Sequence, residues 1–479
     1  MDKRPGWAAT LTILCIAELA GSLETTLVFA ALPGAIRQFG DPVSVAWLVT
    51  GYFLIAGASA ALCGRLGDIV GRSKMLAAVL LVAGTGSVIS AVATDLTWII
   101  VGRSIQGVAG AVLPLCYGLV REHLPTEKLS FGLAAITAVA SLGAAGGFLI
   151  GGVIADQWHW QHIFSASAVL ALGALLLCVL ALPRSQTIGS IGSRADLLGG
   201  ILFAPAVALV LFAISQSSTS GLTMRPLLTL AAGLALLFAW IWHELRQPDP
   251  LIDIRLLARK PVALANISAL LVSMGAFQVM QIFPILIQQP VWTGIGFGLT
   301  ATVTGLLKLP SNVASALGAV WAGKLAGSSG GQGAILAGTL LSLVAWVGLY
   351  FGHDELWLVV LLVCLSSAGV VISLTGTVAV VVQHVPVERT SEATGITMVL
   401  RMTFQGIGAQ IVAALFVAGR TATPGSGETY LAPEAVLASI GYVALVSMIA
   451  VANAVWLQKA VRPYSADLSP TIGLRSDPS

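Results

Sequence analysis

The sequence predicts an all-α membrane protein: fourteen transmembrane helices with both termini on the cytoplasmic side. Three observations carry that reading. First, the 479 residues are 57% hydrophobic and only 9% charged, where a soluble domain carries roughly 25% charged residues. Second, the apolar residues fall into fourteen runs, each near the ~20 residues needed to cross a bilayer. Third, Lys and Arg segregate to alternate loops, as the positive-inside rule requires. Of the 24 Lys and Arg, only Arg37, Arg225 and Arg420 fall on the outer side, and Arg103, Lys308 and Arg401 fall within runs. Both ends therefore go to the cytoplasmic side, with an even span count.

The runs lie near 7–33, 44–63, 75–94, 97–120, 130–155, 162–182, 196–215, 226–243, 262–287, 296–322, 333–351, 356–383, 392–418 and 433–458. The loops between them leave no room for a sizeable soluble domain. The first run is too long, and carries too many acids, for a cleavable signal peptide, so it is expected to stay as a helix. The net charge of +3 gives no case for a nucleic-acid partner. Cys15, Cys63, Cys116, Cys178 and Cys364 all sit in apolar runs, at no metal or redox spacing, and are expected to pack as small hydrophobes. His159 and His162 lie one turn apart without a third ligand nearby. No metal or cofactor is expected, and no nucleophile–base pair suggests an enzyme. The Gly-Ser run at 327–333 lacks the GK[ST] of a phosphate cradle and reads as a loop.

The two ends of the chain echo each other. GRLGDIVG at 64–71 is matched by GKLAGSSG at 323–330, and LPTEK at 124–128 by VPVER at 385–389. The offsets are nearly equal, so a six-span unit is expected twice, with two central spans inserted. Four regions follow: 1–185 as the first six-helix half, 186–260 as the two inserted helices with their linkers, 261–460 as the second half, and 461–479 as a disordered cytoplasmic tail. Repeated halves around a central site are the architecture of many secondary transporters.

Charges inside the spans single out candidate functional residues, because a central Arg or Asp costs ~2.5–3.5 kcal/mol even on lenient scales. Glu18 and Glu24 lie in the first run and Arg103 in the fourth. Six positions separate the two acids, which puts them about 120° apart on a helix, so they are not expected to share a site. A carboxyl in a low-dielectric cavity favours its neutral form, and a neighbouring Arg opposes this. Such a group can take a proton on one side and release it on the other. Glu24 is read as that carrier with Arg103 tuning it, against the plainer alternative of a static ion pair. Glu18 either joins the proton path or bonds a neighbouring helix. Lys308 and Arg401 pose the same question in the second half. They either offset the acids or bind an anionic group.

The motifs then resemble a known family. GRLGDIVGRSK at 64–74 is similar to the signature loop of the major facilitator superfamily, and Arg103-Ser-Ile-Gln-Gly107 to its span-4 arginine motif. LETTLVFAALP at 23–33 and WHWQHIF at 158–164 resemble the fourteen-span drug:proton antiporter branch. The resemblance implies that fold, with two helices inserted between six-helix halves. It implies proton-coupled efflux of small amphipathic compounds by alternating access, in the plasma membrane, with the protein functional as a monomer. Small-molecule substrate, protons and the lipid bilayer are then the partners. It makes Gly64, Arg65, Gly67, Asp68, Gly71, Arg72 and Lys74 a gating loop that latches one conformation. Polar Gln106, Gln278, Gln281, Lys308 and Arg401 are candidates to line the substrate cavity. Gln278 and Gln281 could equally bond helix to helix.

Two departures stand out. Glu24 occupies a position where the branch carries Asp. Gly143, Gly147 and Gly151 share one helix face and invite close packing, but Phe148 stands where the antiporter motif has proline. That leaves open a specific metabolite or lipid exporter, or an uptake symporter.

Overall fold

A computed structural model describes residues 6–185, 197–220, 223–247, 259–385, 390–417, 419–422 and 429–461. The expected tail at 461–479 lies outside this set apart from its first residue. Among the described residues, fifteen helices form a bundle. They are α1 (Trp7–Phe39), α2 (Pro42–Val70), α3 (Arg72–Val92), α4 (Leu96–Gln106), α5 (Val112–His123), α6 (Leu129–Gln157), α7 (His162–Ala181) and α8 (Leu197–Ser220). After them come α9 (Met224–Arg246), α10 (Lys260–Met274), α11 (Val279–Gln288), α12 (Ala301–Phe351), α13 (Leu356–His384), α14 (Thr390–Val417) and α15 (Pro433–Ala460). Among the described residues, 12 helical stretches are long and apolar enough to cross a membrane.

Helices dominate because lipid offers the backbone no hydrogen-bond partner, so each segment satisfies its own N–H and C=O groups. Where two helices meet in sequence, local chemistry breaks them. Gln106 leads into a 3₁₀ turn at Gly107–Ala111 that joins α4 to α5, and a second turn at Ala276–Gln278 joins α10 to α11. These pairs are each one interrupted span.

The Gly-Ser run corrects one expectation. It is helix and not loop: α12 runs 51 residues through it, interrupted where Gly330 takes φ 73° and ψ 167°. Glycine alone enters that region freely, so the chain turns there, and segments 301–329 and 331–351 lie on either side. The bundle is all-helical as expected, and one short feature is added to it. A short antiparallel ribbon, β1 (Arg420–Ala422) and β2 (Thr429–Leu431), links α14 to α15. Gln289 donates from Nε2 to the Leu431 carbonyl at 2.6 Å, and Trp292 packs edge-on against Tyr430, which docks the ribbon on the bundle.

Two groups of helices emerge. α1–α7 pack around Leu14, Leu76, Leu115 and Leu119. α10–α15 pack around Ile282, Phe283, Trp346 and Phe416. The groups meet along α2 against α14 and α6 against the first segment of α12. α8 and α9 pair with each other, and α8 leans on both α2 and α14. Phe203, Val207 and Leu211 of α8 join Leu54 of α2 and Ile396 of α14 in one apolar cluster.

Candidate functional site

Glu24 sits at the centre of the first group. Its carboxyl is buried, and Ser87 of α3 donates to Oε1 at 2.9 Å. Gln106 at the end of α4 donates from Nε2 to Ser87 Oγ at 2.6 Å. Arg103, one turn earlier, donates from Nη1 to Gln106 Oε1 at 3.0 Å. The chain Arg103–Gln106–Ser87–Glu24 therefore points its donors one way, toward the carboxyl. A glutamine can pass this on because its amide accepts at one end and donates at the other.

Arg103 and Glu24 are neighbours without a side-chain ion pair. The guanidinium instead donates to backbone carbonyls: Leu48 from Nε at 3.2 Å, Glu24 from Nη1 at 3.0 Å and Thr25 from Nη2 at 3.5 Å. It lies 4.1 Å from the centre of the Tyr52 ring, where the π face attracts a cation. The Tyr52 hydroxyl is anchored 2.7 Å from Thr25 Oγ1. Five donors in a rigid fork suit Arg to this task better than Lys.

The other expected site residues are scattered. Glu18 is buried one and a half turns before Glu24, and its Oε2 has no hydrogen-bond partner. Gln106, expected at the substrate cavity, is fully buried within the chain just described. Gln278 donates to the Ser273 and Gln405 carbonyls, and Gln281 to the Ala409 carbonyl at 3.4 Å. Both tie the α10–α11 span to α14. Lys308 is buried and donates to Ser367 Oγ at 3.2 Å. Arg401 keeps a buried Nε without a partner.

In the 64–74 loop, Asp68 pairs with Arg72 through Nε and Nη2, both at 2.8 Å, and Arg72 Nη1 donates to the Gly118 carbonyl. Gly67 and Gly71 are buried there, while Lys74 is exposed and Gly64 and Arg65 half-buried. Gly143, Gly147 and Gly151 lie against α1. A Cβ on Gly147 would stand 2.7 Å from the Leu23 carbonyl, and those on Gly143 and Gly151 would meet Ser22 and the Leu27 carbonyl. Phe148 is buried and stacks on Phe29 with ring centres 5.9 Å apart.

Two contributors escaped the sequence. Ser87 is one hydroxyl in an apolar run, and only its position across from Glu24 gives it meaning. Asp156, in the last turn of α6, accepts from the Ala301 and Thr302 backbone N–H groups at 3.0 and 2.7 Å. It thereby caps the first turn of α12 from the other helix group. Such a carboxylate is favoured by the helix dipole. The signal in the sequence is an acid at the end of one apolar run, while the run beginning near 296 opens without one.

Comparison with known proteins places this arrangement. Residues 14–409 match the Major Facilitator Superfamily. The chain belongs to that superfamily and is a transporter. It is 29% identical over 409 residues to multidrug resistance protein Stp of Mycobacterium tuberculosis, covering 84% of this chain and 74% of that one. It is 25% identical over 426 residues to a probable actinorhodin transporter of Streptomyces coelicolor, covering 86% and 72%. Among solved structures, a bacterial homologue of the lysosomal transporter Spinster superposes with a TM-score of 0.69 at 12% identity, over 96% and 98% of the two chains. The xylose transporter XylE of E. coli gives 0.60 at 12%, over 95% and 98%. At these identities the structures attest the fold.

Proposed function

We propose that the protein exports small amphipathic molecules across the plasma membrane in exchange for protons. The observation that carries this is the Glu24 carboxyl, held by Ser87 but not ion-paired to Arg103. A proton can reach it without breaking a salt bridge, because the guanidinium is already satisfied by carbonyls. The direction of transport rests on relatives named as multidrug resistance proteins.

In this reading α1–α7 and α10–α15 are the six-span halves, and α8 with α9 forms the insertion. Counting α8, and counting α12 as two spans about Gly330, gives fourteen, with both termini cytoplasmic by the Lys and Arg bias. The halves rock about a midplane site. The Asp68–Arg72 loop latches one end, and the protein works as a monomer.

The test is dye efflux from an efflux-deficient bacterium, energised after loading. Wild type is expected to export a fluorescent amphipathic dye, a protonophore to stop it, and Glu24→Gln to reduce the initial rate by about 100-fold, the scale of losing a proton-transfer group. Export by Glu24→Gln at the wild-type rate overturns the coupling role. A second reading, export of one specific metabolite, is favoured by Phe148 in place of the motif proline and by the relative named as an actinorhodin transporter. A narrow substrate profile in the same assay selects it.

A further inference from the structure

Among the described residues, the carboxy-terminal group buries Lys308 and no acid to match it. In the sequence between 260 and 460, Asp and Glu occur only at 354, 355, 388, 392, 428 and 434, and Asp354, Glu355 and Glu434 are exposed. Lys308 is nevertheless 1% exposed, inside α12, two turns from its start. Among the described residues, no carboxylate lies within ion-pair distance of it. An ammonium offers three donors, and among the described residues Ser367 Oγ on α13 is its one side-chain acceptor, at 3.2 Å. On the third side stands the Phe283 ring of α11, 5.9 Å away. Beside Ser367, the buried Ser366 hydroxyl has no partner at all.

Burying a charge this incompletely is costly, and an ionisable group within a span marks a functional site by default. The lysine also lies at the head of a polar path. Ser311, Asn312 and Ser315 follow it at helical spacing along α12, and Asn312 and Ser315 are half-buried.

We propose that Lys308 is the anion-recognition point of the substrate site, taking the carboxylate, sulfonate or phosphate of an amphipathic aromatic anion. Ser366 and Ser367 supply hydroxyl donors to the same group, and Phe283 faces the apolar body. The proposal rests on the transport reading above and names its substrate class.

Binding tests it separately from transport. Purified wild type, Lys308→Met and Lys308→Arg are titrated with naphthalene-2-carboxylate, naphthalene-2-sulfonate and the neutral 2-naphthamide, with thermal unfolding as the readout. Either anion is expected to raise the midpoint of wild type, and the amide to leave it unmoved. The apparent Kd is expected to rise at least about tenfold in Lys308→Met, the worth of one charged hydrogen bond, and to be largely kept in Lys308→Arg. The titration involves no proton gradient and no transport, so a failure of proton coupling leaves this result standing. The proposal falls if neither anion stabilises wild type, if the amide does so equally, or if Lys308→Met binds the anion as wild type does. Monodisperse elution of Lys308→Met, with Lys308→Arg as the charge-keeping control, separates lost binding from lost folding.

Discussion

The two helix groups each bury a cation, and they treat it in opposite ways. Arg103 is enclosed by three backbone carbonyls, the Gln106 amide oxygen and the Tyr52 ring. Lys308 has a single hydroxyl and a more distant ring. The first site is complete without any ligand, and its charge is spent on holding α1, α2 and α4 together around Glu24. The second is incomplete. A cation that the protein has already satisfied serves structure and tuning, whereas one left short of acceptors is available to something that arrives.

The largest expected effect breaks this contrast directly. Arg103→Met removes the guanidinium's hydrogen bonds to the Leu48 and Glu24 carbonyls and leaves the buried Gln106 oxygen without its donor. Hydrogen bonds to charged groups contribute about 1.5–3 kcal/mol each, so the loss should exceed about 3 kcal/mol and lower the unfolding midpoint in detergent sharply. Lys308→Met replaces a poorly satisfied ammonium by an apolar chain of similar shape and should cost under about 1 kcal/mol. Equal losses in the two variants would mean that Lys308 is a structural cation after all.

Much of the architecture was legible because lipid imposes it. A span must be helical and apolar, so the runs near 7–33 and 433–458 announce α1 and α15 with only their ends misplaced. The Gly-Ser run at 327–333, without the GK[ST] of a phosphate cradle, reads as a loop in the sequence. Helix persists because small polar residues bond within the helix, as Ser328 does to the Lys324 carbonyl, and one positive-φ glycine makes the break. The site was legible only as charges. Glu24 and Arg103 stand out in apolar sequence, but the acceptors of Arg103 are mostly backbone carbonyls, which every residue carries and no sequence distinguishes. Ser87 and Asp156 gain their roles from helices distant in the chain.

A middle-sized effect sharpens the contrast between the two ends of the bundle. At one end, Asp156 joins the groups through two backbone donors on α12, and Gln288 of α11 donates to the Ala30 carbonyl of α1 at 3.0 Å. At the other, the Asp68–Arg72 pair stays within the first group. Asp156→Ala removes a capping carboxylate, worth about 0.5–2 kcal/mol. That is enough to change the ratio of two conformations several-fold. Spin labels on the last turns of α1 and α11 should then show a longer distance population that wild type lacks. An unchanged distance distribution would mean that Asp156 caps α12 without joining the groups.

The smallest effect tests whether the amino-terminal cluster acts as one unit. Ser87→Ala takes a donor from Glu24 and an acceptor from Gln106. Gln106→Leu takes an acceptor from Arg103, which keeps its bond to the Glu24 carbonyl, and a donor from Ser87. Both variants delete the same 2.6 Å Gln106–Ser87 hydrogen bond. The double variant should therefore cost less than the sum of the singles, by about 0.5–1.5 kcal/mol in unfolding free energy. The matching cycle on Lys308 and Ser366 should give a coupling near zero, because the Ser366 hydroxyl has no hydrogen-bond partner. Saturating naphthalene-2-carboxylate should then create a coupling there and leave the first cycle as it was. A cluster that is already complete has nothing to gain from a ligand, and the incomplete one does.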